Sequence, residues 1–183
     1  LIVVSGLPRS RNVFMPNSKK LIIDGAESSD IWHFVDDETP LAEAPAIISL
    51  TRLHDEGAEL VAAGKKLGVI LRAGEKQGED VHALKPFLDN LAVVAIEFPV
   101  YRNGRGYSTA RILREQMGFR GEIRAVGEVL FDQWQFMNRC GINAFEVDAD
   151  VSLEAFNEAM GELSAAYQPA ADPQRGILWR RHN

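Results

Sequence analysis

The feature that most constrains this chain is a regular exchange of short apolar runs with longer amphipathic ones. From Ala46 onward, five runs read as strands: Ile47–Leu50, Leu67–Leu71, Ala92–Phe98, Gly121–Val126 and Ala144–Val147. They are nearly continuous in apolar residues, as strands covered on both faces must be. Helical spacing fills the intervals. The first helix is expected from about His54 to Ala63, ended near Gly64. Val81, Leu84, Leu88 and Leu91 follow the second run, with Pro86 placed to break or restart that helix. Ala110, Leu113 and Met117 follow the third, with Gly118 as a stop; Leu130, Trp134 and Met137 follow the fourth, with Gly141 as a stop. Ser152 caps a last helix whose stripe is Leu153, Phe156, Met160, Leu163 and Tyr167. This alternation predicts an α/β fold with a mostly parallel sheet and right-handed crossovers. Five units are too few for a closed eight-stranded barrel. The expected architecture is an open doubly wound sheet, with a partial β/α barrel as the alternative. In both, sites gather at the C-terminal ends of the strands.

The flanks divide the rest. Residues 1–14 read as an extension preceding Met15. Val3 to Ser10 resembles the phosphate loop of sulfotransferases, but Arg11-Asn12 stand where that loop needs glycine and a hydroxyl, and Pro16 blocks the helix that would follow. Residues 15–45 read as a hairpin and linker. Lys20–Gly25 forms a strand ending in an Asp-Gly turn, and Ile31–Val35 is its expected partner. Asp36-Asp37-Glu38 with Pro40 and Pro45 is the linker, and Trp32 and His33 are given structural roles. Residues 46–167 form the βα domain. Residues 168–183 form a docking tail ending in Ile177-Leu-Trp-Arg-Arg181, which also offers a route to a homodimer.

The net charge of −6 opposes general nucleic-acid binding, which needs a basic field. Cys140 is the only cysteine, so there is no internal disulfide and no cysteine cluster for a metal or an iron–sulfur centre. No metal or cofactor motif is evident. No run is long and apolar enough for a membrane span, and a cytoplasmic location is expected. Cys140 itself, beside Phe136 and Met137, reads as a small core residue.

Chemistry is expected around the third strand. Glu97 closes it, and a loop leads through Gly104-Arg-Gly-Tyr-Ser108 into a helix running from Thr109 to about Met117. Gly104 and Gly106 are read as giving positive φ and close backbone approach, and Ser108 as the helix cap. With Arg105 and Arg111 nearby, the helix start suits a small oxyanion. Arg52 and Arg72, after the first two strands, extend the anion site. Glu97 and Glu128 are the candidate acid–base carboxylates. An ion-pair network, for instance Glu97 with Arg124 on a neighbouring strand, accounts for the same charges.

Gly104-Arg-Gly-Tyr-Ser-Thr-Ala-Arg-Ile-Leu-Arg114, Gly118-Phe-Arg-Gly-Glu-Ile-Arg-Ala-Val-Gly127 and Asp132-Gln133 through Arg139-Cys-Gly141 to Ala144-Phe145 resemble the bacterial family called domain of unknown function 934. Ala95-Ile-Glu-Phe-Pro99 and Ala166-Tyr-Gln-Pro-Ala170 match it too. The resemblance runs from about residue 19 to 181. Members are typically encoded near assimilatory sulfite reductase and labelled oxidoreductases of sulfite reduction. The resemblance therefore implies a role in sulfate assimilation, with sulfite reductase or another enzyme of that route as partner. Members usually carry Asp-Gly-Arg-Gly, and Asn103 stands here in place of the acid. Three readings follow: an accessory protein of sulfite reduction with a small-oxyanion site; an enzyme acting on a phosphorylated or sulfated metabolite; and a non-catalytic interaction module.

Overall fold

The computed structural model describes residues 19–42, 44–72, 80–99 and 104–161. The extension, Met15, Pro16, Asn103, Leu163, Tyr167 and the tail lie outside these residues. Eight strands form one mixed sheet: β1 (Lys19–Ile23), β2 (Ala26–Ser28), β3 (His33–Phe34), β4 (Ala46–Ser49), β5 (Leu67–Leu71), β6 (Leu91–Phe98), β7 (Glu122–Gly127) and β8 (Ala144–Asp148). Their order is β2-β1-β8-β7-β6-β5-β4-β3. All neighbours from β3 to β8 are parallel; β1 is antiparallel to β8 and to β2.

This order decides between the two expected architectures. From β3 to β8 it is strictly sequential and never reverses, so the sheet is not doubly wound and has no switch point. Right-handed crossovers in sequential order put every helix on one side. The strands show it by parity. Ile48, Val69, Val94, Ile96, Ile123 and Phe145 join the large core beneath the helices, whereas Ile47, Ile70, Val93, Ala95 and Val126 face the other way and meet Trp32.

The same order forces the sheet to curl. Strands about 4.8 Å apart would set the two edges of a flat sheet of this size about 34 Å apart. Yet β2 and β3, at opposite edges, are joined by Ser29 to Trp32 alone, and the five steps from Ser28 to His33 reach only about 17 Å. The result is a curled half-barrel, with this short strap crossing the concave face. The strap also corrects the expected hairpin. Lys19–Ile23 pairs with Ala26–Ser28 through the Asp24-Gly25 turn, with φ of 49° and 80°, while Ile31–Val35 belongs to the far edge.

Helices follow the strands. Ser49 Oγ accepts the Arg52 N–H at 3.0 Å, so α1 (Leu50–Ala62) starts a full turn before the expected His54. Pro86 lies between two short 3-10 turns, Val81–Leu84 and Leu88–Asn90, and no α-helix forms there. Helix α2 (Arg105–Arg111) widens into a π-type turn at Ile112–Gln116, and Gly118, at φ 69°, ends it. Helix α3 (Trp134–Arg139) stops at Gly141, at φ 103°. Helix α4 (Leu153–Gly161) starts where Ser152 Oγ accepts the Ala155 N–H. Phe156 anchors it between Trp134 and Phe145, with ring centroids 4.8 and 5.3 Å away. Cys140 is buried in this core.

Candidate functional site

The parallel strands end along one rim, and the polar groups there are fixed by identifiable bonds. Ser49 closes β4. Besides capping α1, its hydroxyl donates to Asp37 Oδ1 at 2.6 Å. Asp36 Oδ1 accepts the backbone N–H groups of Glu38 and Thr39 at 3.1 and 2.7 Å, folding residues 36–39 into a turn. Hydrogen bonds from Thr39, its side chain foremost, hold the Asp36 carboxyl below its ordinary value. The linker is thus an ordered wall. Beneath it lies a cleft of about 350 Å³, lined by Asp36, Asp37, Ser49 and Arg72 over an apolar base of Ile47 and Ile70. Arg72 stands one residue past β5. The β5–β6 register pairs Leu71 with Ile96, so the next step brings Arg72 beside Glu97.

Arg52 has a different task. Its guanidinium is only 7% exposed; Nη1 donates to the carbonyls of Asp36 and Thr39 at 2.6 and 2.8 Å, and Nε to Glu56 at 3.0 Å. It holds the wall of the cleft and is not among the lining residues. The sequence placed Arg52 in a strand-end loop because the Ser49 cap was not recognised.

The third-strand loop is also rearranged. Residues 100–103 lie outside the described residues, and α2 already begins at Arg105. Ser108 is its fourth residue, and the cap position is Gly104, with no side-chain bond; the expected Ser108 cap is not formed. Nor are the glycines in the left-handed region. Gly104 has φ −74°, and Gly106 lies within the helix. Gly106 is small because Phe98 lies beneath it: a Cβ would come 2.5 Å from Phe98 Cζ. Arg105 and Arg111, six residues apart, point about 120° apart around the helix axis. Arg111 is paired with Glu115, its Nε and Nη2 3.2 and 3.1 Å from Oε1. The structure therefore brings Ser49, Arg72 and Glu97 to neighbouring strand ends, with Arg105 opening the helix after β6. It does not bring Arg52 or Arg111 to the cleft. Glu128 is exposed past β7, its N–H bonded to Phe98 O at 2.7 Å.

A second polar cluster was missed. Arg124 is fully buried on the concave face. Its Nη1 and Nη2 hold the strap through Asp30, at 2.7 and 3.2 Å, and Nε bonds Glu122 at 2.6 Å. The expected Glu97–Arg124 pair is corrected here, because the register sets Arg124 beside Ala95 and its partners come from β7 and the strap. Burial alone would lower the Arg124 pKa; the bonds to Asp30 and Glu122, and their charges, raise it. Burial also pushes the Glu146 carboxyl up, against the opposing pull of Arg124 and Lys19. The signal available was a charged residue inside an apolar strand: Ile123-Arg-Ala-Val126 and Ala144-Phe-Glu-Val147.

Fold and rim define a class: a mostly parallel β/α half-barrel whose parallel strands frame a small polar cleft at their C-terminal ends. Within that class the chain belongs to a family described as bacterial protein of unknown function (DUF934), whose model matches residues 68–178. The match takes in Arg72, Glu97, Arg105, Arg124 and Glu146 and leaves out Ser49 and the strap. A comparison with curated proteins found no match.

Proposed function

We propose that this protein serves sulfate assimilation in the cytoplasm, as an accessory to sulfite reduction, and that it holds a small oxyanion at the C-terminal rim of its parallel strands. The observation that supports the site is that Arg72 lines a small cleft at the strand ends together with Ser49, Asp36 and Asp37. The resemblance to proteins encoded beside sulfite reductase carries the process. The Arg72 guanidinium suits a sulfur or phosphorus oxyanion, which accepts hydrogen bonds through several oxygens at once, while the Ser49 proton is already donated to Asp37. Asp36, Asp37 and Glu97 oppose the ligand's charge. Binding is therefore weak and salt-sensitive, on the order of millimolar, equivalent to about 4 kcal/mol. Such affinity suits a carrier or sensor of a passing anion better than tight storage.

Deleting the gene and scoring growth on sulfate, sulfite and sulfide tests this reading. Growth restored by sulfide and not by sulfite is the expected result. Unimpaired growth on sulfate, or rescue by sulfite, contradicts it.

A second reading, an enzyme acting on a phosphorylated or sulfated metabolite, draws support from Glu146. This half-buried carboxyl with a raised pKa has the property of a general acid, which neither Glu97 nor Glu128 is needed to supply. Turnover of such a metabolite, lost in Glu146→Gln, distinguishes it.

A further inference from the structure

The cleft at the strand ends is lined by charges of both signs. Asp36 and Asp37 line it from the turn after β3, and Arg72 from the end of β5. Its apolar lining is Phe34, Val35, Ile47 and Ile70. Phe34 stands opposite Ile47 and Ser49 opposite Ile70, so these groups share the concave face of the sheet. Phe34, an edge-strand ring, is left 49% exposed. Both carboxylates are fixed by bonds to one oxygen: Asp36 Oδ1 accepts from the N–H groups of Glu38 and Thr39, and Asp37 Oδ1 from the Ser49 hydroxyl. The bonds from Thr39 also favour the ionised form of Asp36. A simple anion in this cleft meets one guanidinium and two carboxylates, with Glu97 a further one beside Arg72. A simple cation meets the carboxylates but also Arg72. A ligand carrying both charges leaves neither sign opposed. The volume, about 350 Å³, is at the lower end for small-molecule sites.

We propose that the ligand of this cleft is a small zwitterion, with an oxyanion head held by Arg72, an ammonium group held by Asp36 and Asp37, and a short apolar stem against Phe34, Ile47 and Ile70. This rests on the reading that the rim holds an oxyanion, and it names the kind of molecule that bears the oxyanion. The two carboxylates that weaken binding of a bare anion become the groups that select the ligand.

Titration calorimetry of the full chain at low salt and neutral pH tests this with three probes. Taurine carries a sulfonate, a two-carbon stem and an ammonium; ethanesulfonate lacks the ammonium, and ethylamine lacks the sulfonate. Taurine is expected to bind at least tenfold more tightly than either control. Arg72→Ala should weaken taurine and ethanesulfonate alike. Asp36→Asn combined with Asp37→Asn keeps the oxygens that accept from Glu38, Thr39 and Ser49 and removes both charges. This variant should bind taurine at least fivefold more weakly and ethanesulfonate no less tightly than the wild type. A collapsed cleft would instead lose both ligands, and that result overturns the assignment of Asp36 and Asp37 to the ammonium. Ethylamine binding as tightly as taurine overturns the proposal in favour of a cation site. Sulfite and sulfate are titrated in parallel. If they bind through Arg72 while taurine gains nothing over ethanesulfonate, the zwitterion is overturned and the rim reading stands. If none of the ligands binds, the rim reading falls and the proposal with it.

Discussion

Arg124 is the residue whose surroundings say most about this fold. A fully buried guanidinium is stable only while its charge is matched, and here Glu122 and Asp30 match it. Arg124→Met leaves both carboxylates facing an apolar group. It is expected to cost about 3 kcal/mol by urea unfolding, at the low end for a broken buried pair because Asp30 keeps about a third of its surface in water. A neutral result would mean the pair contributes nothing to folding. Glu146 gives a pH-dependent counterpart. Its folded pKa lies above the ordinary carboxylate value, so between the two values the folded state binds more protons than the unfolded state. Its contribution is therefore present in acid and is lost as pH rises through the folded value. Glu146→Gln removes that loss. Melting curves should show the variant gaining on the wild type as pH rises from about 4 to 7, and a relative loss over that range would refute the shift. These two residues were legible as anomalies, charges inside apolar strands. Their partners were not, because Asp30 is 94 residues distant and only the strap brings it to Arg124.

At the scale of elements, the five parallel strands from β4 to β8 were readable to within a residue or two, since continuous apolar runs between helical stretches admit few alternatives. The stops at Gly118 and Gly141 were equally plain. Helix starts were harder. Ser49 and Ser108 are both hydroxyl residues before a helical pattern, yet only Ser49 caps one, because α2 begins upstream at Arg105. Tertiary contact also changed the meaning of Gly106: it is dictated by the Phe98 ring rather than by a ligand. Gly106→Ala should accordingly destabilise the protein by about 1–3 kcal/mol, overpacking outweighing the gain of about 1 kcal/mol in helix propensity. Gly161→Ala, at the end of α4 with no atom of the described residues within 4 Å of an added Cβ, is the control and should be neutral or mildly stabilising. Equal effects at the two sites would show that Phe98 yields without cost.

For the whole molecule, strand order was the property least visible in the sequence. Apolar runs of this kind suit a doubly wound sheet and a half-barrel alike, and the four-residue strap that discriminates them was read as part of a hairpin. The candidate site followed the same pattern. Arg72 and Glu97 come to adjacent strand ends as their positions implied, whereas Arg52 and Arg111 are engaged elsewhere once α1 and α2 are in place. The central question for the molecule is whether the rim formed by β4, β5 and β6 holds an oxyanion. Titration calorimetry at low salt with sulfite and sulfate measures this directly, on the wild type, on Arg72→Ala with Arg105→Ala, and on Arg111→Ala. The wild type and Arg111→Ala should bind on the order of millimolar, with affinity falling as salt is added, and the double variant should lose binding at least tenfold. Absence of binding to the wild type, or equal binding by all three proteins, would contradict the rim site.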